Sequence, residues 1–125
     1  MEKGKHLLIE AITKDENLLT DKKFIQKLFR QIIKLAKMKA LSPILIYQFP
    51  SPGPKLKGGL TAFVVLAESH LSIHTWPEKN YFALDLFSCG DFKEKLILKT
   101  LKQKLALKNY QFKILRRGLK VKRRG

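Results

Sequence analysis

Three apolar segments follow one another with very little chain between them: Thr61 to Ala67, Leu71 to Trp76 and Tyr81 to Phe87. β-Branched, aromatic and alternating residues mark each of them as a strand. The connections, Glu68-Ser69-His70 and Pro77-Glu78-Lys79-Asn80, are too short to hold a crossover helix. Strands joined this way turn back on one another, so this block commits the chain to an antiparallel-rich sheet.

The flanking segments extend the sheet and cover it. His6 to Ile12 is rich in Leu and Ile and ends in the polar stretch Thr13 to Asn17, which reads as a first strand with Leu7 in the core. From Asp21 to about Ala40, Phe24, Ile25, Leu28, Phe29, Ile32, Ile33 and Ala36 recur at helical spacing, with lysines on the other face. Pro43 to Phe49 reads as the second strand. Pro50 to Gly59 has three prolines and three glycines in ten residues and reads as a loop. Asp91 and Glu94 form a capping pair that opens a second helix running to about Lys108, and Tyr110 to Leu115 is a final strand. The order, written βαβββαβ, implies an α+β fold: one domain over residues 1–125, a two-layer α/β sandwich with a mostly antiparallel sheet and both helices on one face.

The stretch Glu68 to Gly90, ESHLSIHTWPEKNYFALDLFSCG, holds a Glu-Ser junction, two histidines, a Trp-Pro-Glu turn and the only cysteine. Ser69 sits where one strand ends and the next begins, so a turn can bring its hydroxyl to the Glu68 carbonyl. Attack there converts the peptide bond to an ester if a neighbour moves the proton, and His74 is the candidate. Elimination from the ester leaves one fragment ending at Glu68 and a dehydroalanine, which hydrolyses to a pyruvoyl group at the start of the other. A pyruvoyl ketone forms a Schiff base with an amino acid and acts as the electron sink for loss of carbon dioxide, as pyridoxal phosphate does elsewhere. An ordinary thiol is protonated at neutral pH and can return a proton to carbon.

Glu68-Ser69-His70-Leu71-Ser72-Ile73-His74-Thr75-Trp76-Pro77-Glu78, then Asp85-Leu86-Phe87-Ser88-Cys89-Gly90, closely resemble the prokaryotic S-adenosylmethionine decarboxylase proenzyme family, and Gly4-Lys5-His6-Leu7 is similar to that family's start. The resemblance implies that Ser69 becomes the pyruvoyl group, that Glu68 ends the amino-terminal fragment 1–68, and that residues 69–125 form the other. It implies further that His74 assists processing and that Cys89 is the proton donor. Glu78 then binds the ribose hydroxyls of the substrate and Phe49 stacks on its adenine. Thr61 stands where the family has a serine that supports processing; threonine keeps the hydroxyl and adds a methyl that stiffens χ1. The family's members dimerise, which implies a homodimer of processed units.

Plainer readings stand beside these. A lone cysteine after a strand is more often a buried small hydrophobe, and Ser69 and His74 taken singly are an ordinary turn residue and strand histidine. Trp76 reads first as half-buried packing and second as a substrate contact. His70 and His74 lie ~13 Å apart on a strand, too far to share an ion, so no metal site is expected, and neither metal nor pyridoxal phosphate is required.

The formal charge of +16 attracts polyanions. Of the twenty-six basic residues twenty-one are lysines, mostly on the helices' outer faces, and no aromatic-rich basic motif accompanies them. A solvated lysine face is therefore expected, with nucleic-acid binding at most non-specific despite the basic tail Arg116 to Gly125. No apolar run approaches the ~20 residues that span a bilayer, and one cysteine excludes an internal disulfide, so a cytoplasmic protein without a membrane role is expected. The leading expectation is a self-cleaving, pyruvoyl-dependent decarboxylase of S-adenosylmethionine whose product donates aminopropyl groups in spermidine synthesis. The alternatives are the same chemistry on arginine or ornithine, and a non-processing basic nucleic-acid-binding protein on this fold.

Overall fold

A computed structural model describes residues 4–51, 53–55 and 57–119. Its strands are β1 (Gly4–Thr13), β2 (Leu45–Gln48), β3 (Leu60–Leu66), β4 (Ser69–Trp76), β5 (Tyr81–Ser88) and β6 (Leu107–Arg117); its helices are α1 (Lys22–Leu35) and α2 (Glu94–Leu105). They form one six-stranded sheet in the order β2-β3-β4-β5-β1-β6, with every neighbouring pair antiparallel. The element order is βαββββαβ, one strand more than the expected βαβββαβ. Each of the six segments expected to be a strand is one, and four of them lie between the helices.

Alternation places the core. Leu7, Ile9 and Ala11 of β1, Leu60, Ala62, Val64 and Leu66 of β3, Leu71 and Ile73 of β4, and Phe82, Leu84 and Leu86 of β5 all point to one face. There they meet Ile25, Leu28, Phe29 and Ile32 of α1 and Ile97, Leu98, Leu101 and Leu105 of α2 in a single cluster. A fully buried Leu, Ile or Phe contributes roughly 1.5–3 kcal/mol, so this face dominates the stability. The lysines of both helices, Lys22, Lys23, Lys27 and Lys34 with Lys95, Lys99, Lys102 and Lys104, are exposed on the outer side. Among the described residues no helix is long and apolar enough to cross a membrane. Residues 120–125 of the basic tail lie outside the described residues.

Element ends differ from expectation where side-chain chemistry was redirected. The Asp21 side chain accepts from Phe24 N–H and starts α1, which stops at Leu35 because Lys37 adopts a left-handed φ of 55°. Asp91 and Glu94 do not form a capping box. Lys93 is the N-cap without a side-chain bond, and both carboxylates turn to Lys5 instead. At the far end of α2 Ala106 takes φ 47°, so the chain reverses at once into β6, which pairs with β1 from Gly4 to Thr13 and therefore outruns the expected Tyr110 to Leu115. Phe49 N–H donates to the Gly59 carbonyl at 2.8 Å and closes the Pro/Gly loop. A Cβ on Gly58 would lie 1.6 Å from the Phe49 carbonyl oxygen, so only glycine fits there.

The other face of the sheet is uncovered among the described residues. Besides polar residues it presents Leu8, Ile12, Leu45, Phe63, Val65, Phe87 and Leu115, with Phe63 38% and Val65 41% exposed. Antiparallel sheets with one wet face ordinarily alternate to polar residues there, and this one does so only in part.

Candidate active site

Strand β4 holds the expected site residues at its two ends. At the carboxy-terminal end, cross-strand pairing sets Thr61 opposite His74, and Thr61 Oγ1 lies 3.0 Å from His74 Nδ1. This pair opens on a cleft of about 770 Å³ lined by Tyr47, Phe49, Pro50, Gly59, Thr61, His74, Thr75, Trp76 and Glu78. Thr75 Oγ1 accepts from Leu60 N–H and donates to the Leu19 carbonyl, both at 2.7 Å, which anchors this end of the strand to the core. Trp76 packs on Tyr81 with ring centres 5.3 Å apart, the packing role expected first, and its indole also lines the cleft. Tyr47 was not among the expected site residues. Its signal was parity, since it lies two residues before Phe49 and pairs with Thr61.

At the amino-terminal end, Ala67 and Glu68 make a two-residue turn between Leu66 and Ser69, and Glu68 has φ 58°. Ser69 Oγ accepts the Cys89 backbone N–H at 3.3 Å although the two are twenty residues apart. Ser88, cross-strand partner of both Ser69 and Lys5, is buried, and its Oγ accepts the Gly90 N–H at 2.9 Å. The loop that carries Cys89 is thus tied down residue by residue.

Lys5 completes that anchoring and was not expected as a site element. It is only 3% exposed, and its Nζ reaches Asp91 Oδ1 at 3.1 Å, the Phe92 carbonyl at 2.7 Å and Glu94 Oε2 at 2.5 Å. The same ammonium lies 4.8 Å from the Phe92 ring centre. The available signal was a lysine in register with Leu7, Ile9 and Ala11 on the core side of β1. Hydrogen bonding to Lys5 holds the Asp91 and Glu94 carboxyls below their ordinary range. A depressed carboxyl stabilises the fold above its unfolded pKa and loses that contribution as pH falls through the folded one. Lys5→Met should therefore lower stability by about 2 kcal/mol near neutrality, from its hydrogen bonds. Urea midpoints should show the difference from wild type shrinking as pH falls below ~4. An equal gap at pH 7 and pH 3 would assign the loss to packing.

A histidine and aromatic cluster lies on the uncovered face near the Ser69 end. His70 stacks on Phe63 with centres 5.6 Å apart, and His6 meets His70 and Phe87 edge-on. Among the described residues His6 Nε2 is buried without a hydrogen-bond partner, 3.9 Å from Asp85, and burial pushes its pKa down against the pull of that carboxylate. Among the described residues no three His, Cys, Asp or Glu side chains converge on a metal position.

The structure does not bring Ser69 and His74 together within one chain. Five residues of extended strand separate them by ~16 Å, and odd and even positions of β4 face opposite sides. Glu68, Ser69 and Cys89 form one group; Thr61, His74, Trp76, Glu78 and Phe49 form the other.

The family model for S-adenosylmethionine decarboxylase matches residues 5–118. This chain belongs to the S-adenosylmethionine decarboxylase family. It is 36% identical over 115 residues to the S-adenosylmethionine decarboxylase proenzyme of Prochlorococcus marinus (strain MIT 9313), covering 91% of this chain and 86% of that one. It is 35% identical to the proenzyme of Pyrococcus horikoshii, over 70% of this chain and 58% of that relative. In structure it is similar to the adenosylmethionine decarboxylase from Aquifex aeolicus VF5, with TM-score 0.79 and 28% identity over 98% of this chain and 96% of the other. The S-adenosylmethionine decarboxylase family thus accounts for nearly the whole described sheet, both ends of β4 included.

Proposed function

We propose that the chain cleaves itself between Glu68 and Ser69 and that the two-fragment product decarboxylates S-adenosylmethionine to an aminopropyl donor for spermidine synthesis. The observation that carries this is the meeting of Ser69 Oγ with the Cys89 backbone at 3.3 Å, at a turn whose carbonyl is the one to be attacked. Ser69 supplies the hydroxyl, and its oxygen forms the bond to the Glu68 carbonyl carbon. The Thr61–His74 pair supplies an imidazole, held through Nδ1, as the group that moves the proton. The position of Ser69, at a strand start beside a thiol-bearing loop, fits a pyruvoyl group. That group, once formed, supplies a ketone as electron sink for a substrate amine. Cys89 then holds the proton that returns to the substrate α-carbon.

The cleft fits the substrate named by the relatives. Tyr47, Phe49 and Trp76 offer faces for a purine and for a sulfonium, and Glu78 offers a carboxylate for ribose hydroxyls. Arginine or ornithine would leave these rings unused, and the comparisons favour neither them nor a nucleic-acid-binding protein. In a chain of charge +16, Glu78 also offsets the field at the mouth of a site for a cationic substrate.

Completion of the site calls for a second copy. A substrate seated against Phe49 and Glu78 is ~16 Å of strand away from Ser69 of its own chain, and acid–base chemistry needs contact near 3 Å. Two-fold packing of the partly apolar sheet faces sets the Ser69 end of one β4 against the His74 end of the other, so each site draws on both chains.

The test is the denatured intact mass of freshly purified protein, with Ser69→Ala as control. Two fragments divided between Glu68 and Ser69, the second with a pyruvoyl start and both absent from the control, are expected. A chain that stays whole on prolonged incubation would overturn the reading.

A further inference from the structure

We propose that the Glu68 backbone is held under strain in the uncleaved chain and that relief of this strain speeds the acyl shift; this rests on the self-cleavage reading and deepens it. Glu68 is a non-glycine residue at φ 58°, where Cβ crowds the backbone. Such conformations persist only where the surroundings impose them, and here the turn is fixed from both sides. On one side, the chain after α1 runs along β3. Ala67 N–H donates to the Lys39 carbonyl at 2.8 Å, Leu41 N–H to the Val65 carbonyl at 2.8 Å, and Val65 N–H to Ser42 Oγ at 2.9 Å. Ala40 forms a bridge with Leu66, the residue that opens the turn. On the other side Ser69 pairs with Ser88 and takes the Cys89 N–H.

The shift loosens this turn directly. The Ser69 Oγ bond to the Glu68 carbonyl carbon forms as the bond from that carbon to the Ser69 nitrogen breaks, and the hydroxyl proton ends on the freed amine. No oxidant or co-reactant enters. In the amide one atom, the nitrogen, joins the Glu68 carbonyl carbon to the Ser69 Cα; in the ester two atoms do, Oγ and Cβ. The added atom gives Glu68 room to leave the left-handed region while β3 and β4 stay paired.

Glycine and alanine at position 68 separate backbone from side chain. Both lack the carboxylate, but alanine keeps the Cβ that creates the strain and glycine does not. Chains made by cell-free synthesis and quenched in acid at intervals give the cleavage rate by intact mass. Glu68→Gly should cleave about five- to thirtyfold more slowly than Glu68→Ala, which is the left-handed penalty of ~1–2 kcal/mol converted to a rate. In the uncleavable Ser69→Ala background, Glu68→Gly should resist urea better than Glu68→Ala. Equal rates for wild type and Glu68→Gly overturn the strain, as does equal slowing of both variants, which would assign the effect to the carboxylate. A wild type that never cleaves removes the self-cleavage reading and this inference with it, whereas a cleaving wild type matched by Glu68→Gly removes only the inference.

Discussion

Cys89→Ala should self-cleave like wild type and then lose ~10²–10⁴-fold in turnover, the range for removal of a positioned general acid. The two halves of this result come from different atoms of one residue. What meets Ser69 Oγ before cleavage is the Cys89 backbone N–H, which alanine retains. What the later reaction needs is the thiol, which alanine lacks. The loop should not move in the variant, because Gly90 remains bonded to Ser88 and Asp91, Phe92 and Glu94 remain bonded to Lys5. Intact mass reads the first half and carbon dioxide release from labelled S-adenosylmethionine reads the second. Wild-type turnover in the cleaved variant would take Cys89 out of the mechanism; loss of cleavage would show that the thiol acts before the proton-return step.

The sheet was legible because its strands alternate. The core positions of β1, β3, β4 and β5 obey a period of two, and turn residues separate the runs between β3 and β5. The ends of the helices were not, because they depend on single residues in left-handed backbone, Lys37 and Ala106, where no glycine announces the stop. Asp91 and Glu94 have the spacing of a capping pair, but a buried ammonium binds their carboxylates more strongly than backbone N–H groups can. Only the tertiary position of Lys5, eighty-six residues earlier than Asp91, creates that competition. Ser69, His74 and Cys89 stood out as candidates from two short motifs, whereas their arrangement in space did not. Residues five apart look adjacent in a motif, yet on a strand they are ~16 Å apart. The sequence neighbours are therefore the distant ones, and Ser69 and Cys89, twenty residues apart, are the pair in contact.

That inversion leads to an all-or-none expectation for mixed chains. His74→Ala and Ser69→Ala, each expressed alone, should stay whole: one lacks the imidazole and the other the hydroxyl. Co-expressed, they should produce cleaved His74→Ala chains and no cleaved Ser69→Ala chains. In a mixed dimer the intact Ser69 end of the first chain faces the intact His74 end of the second, while the remaining site carries both defects. Random pairing makes half the dimers mixed with one good site each, so activity should recover to about a quarter of wild type. Distinct affinity tags on the two chains let the mixed dimer be purified and its fragments weighed. A purified mixed dimer in which neither chain cleaves would refute the shared site. Cleavage of His74→Ala by itself would show that the histidine is dispensable for processing, whichever chain supplies it. Recovery confined to the mixed dimer would account for Phe63, Val65 and Leu115, uncovered among the described residues, because burying that face between two copies would bring the two ends of β4 together.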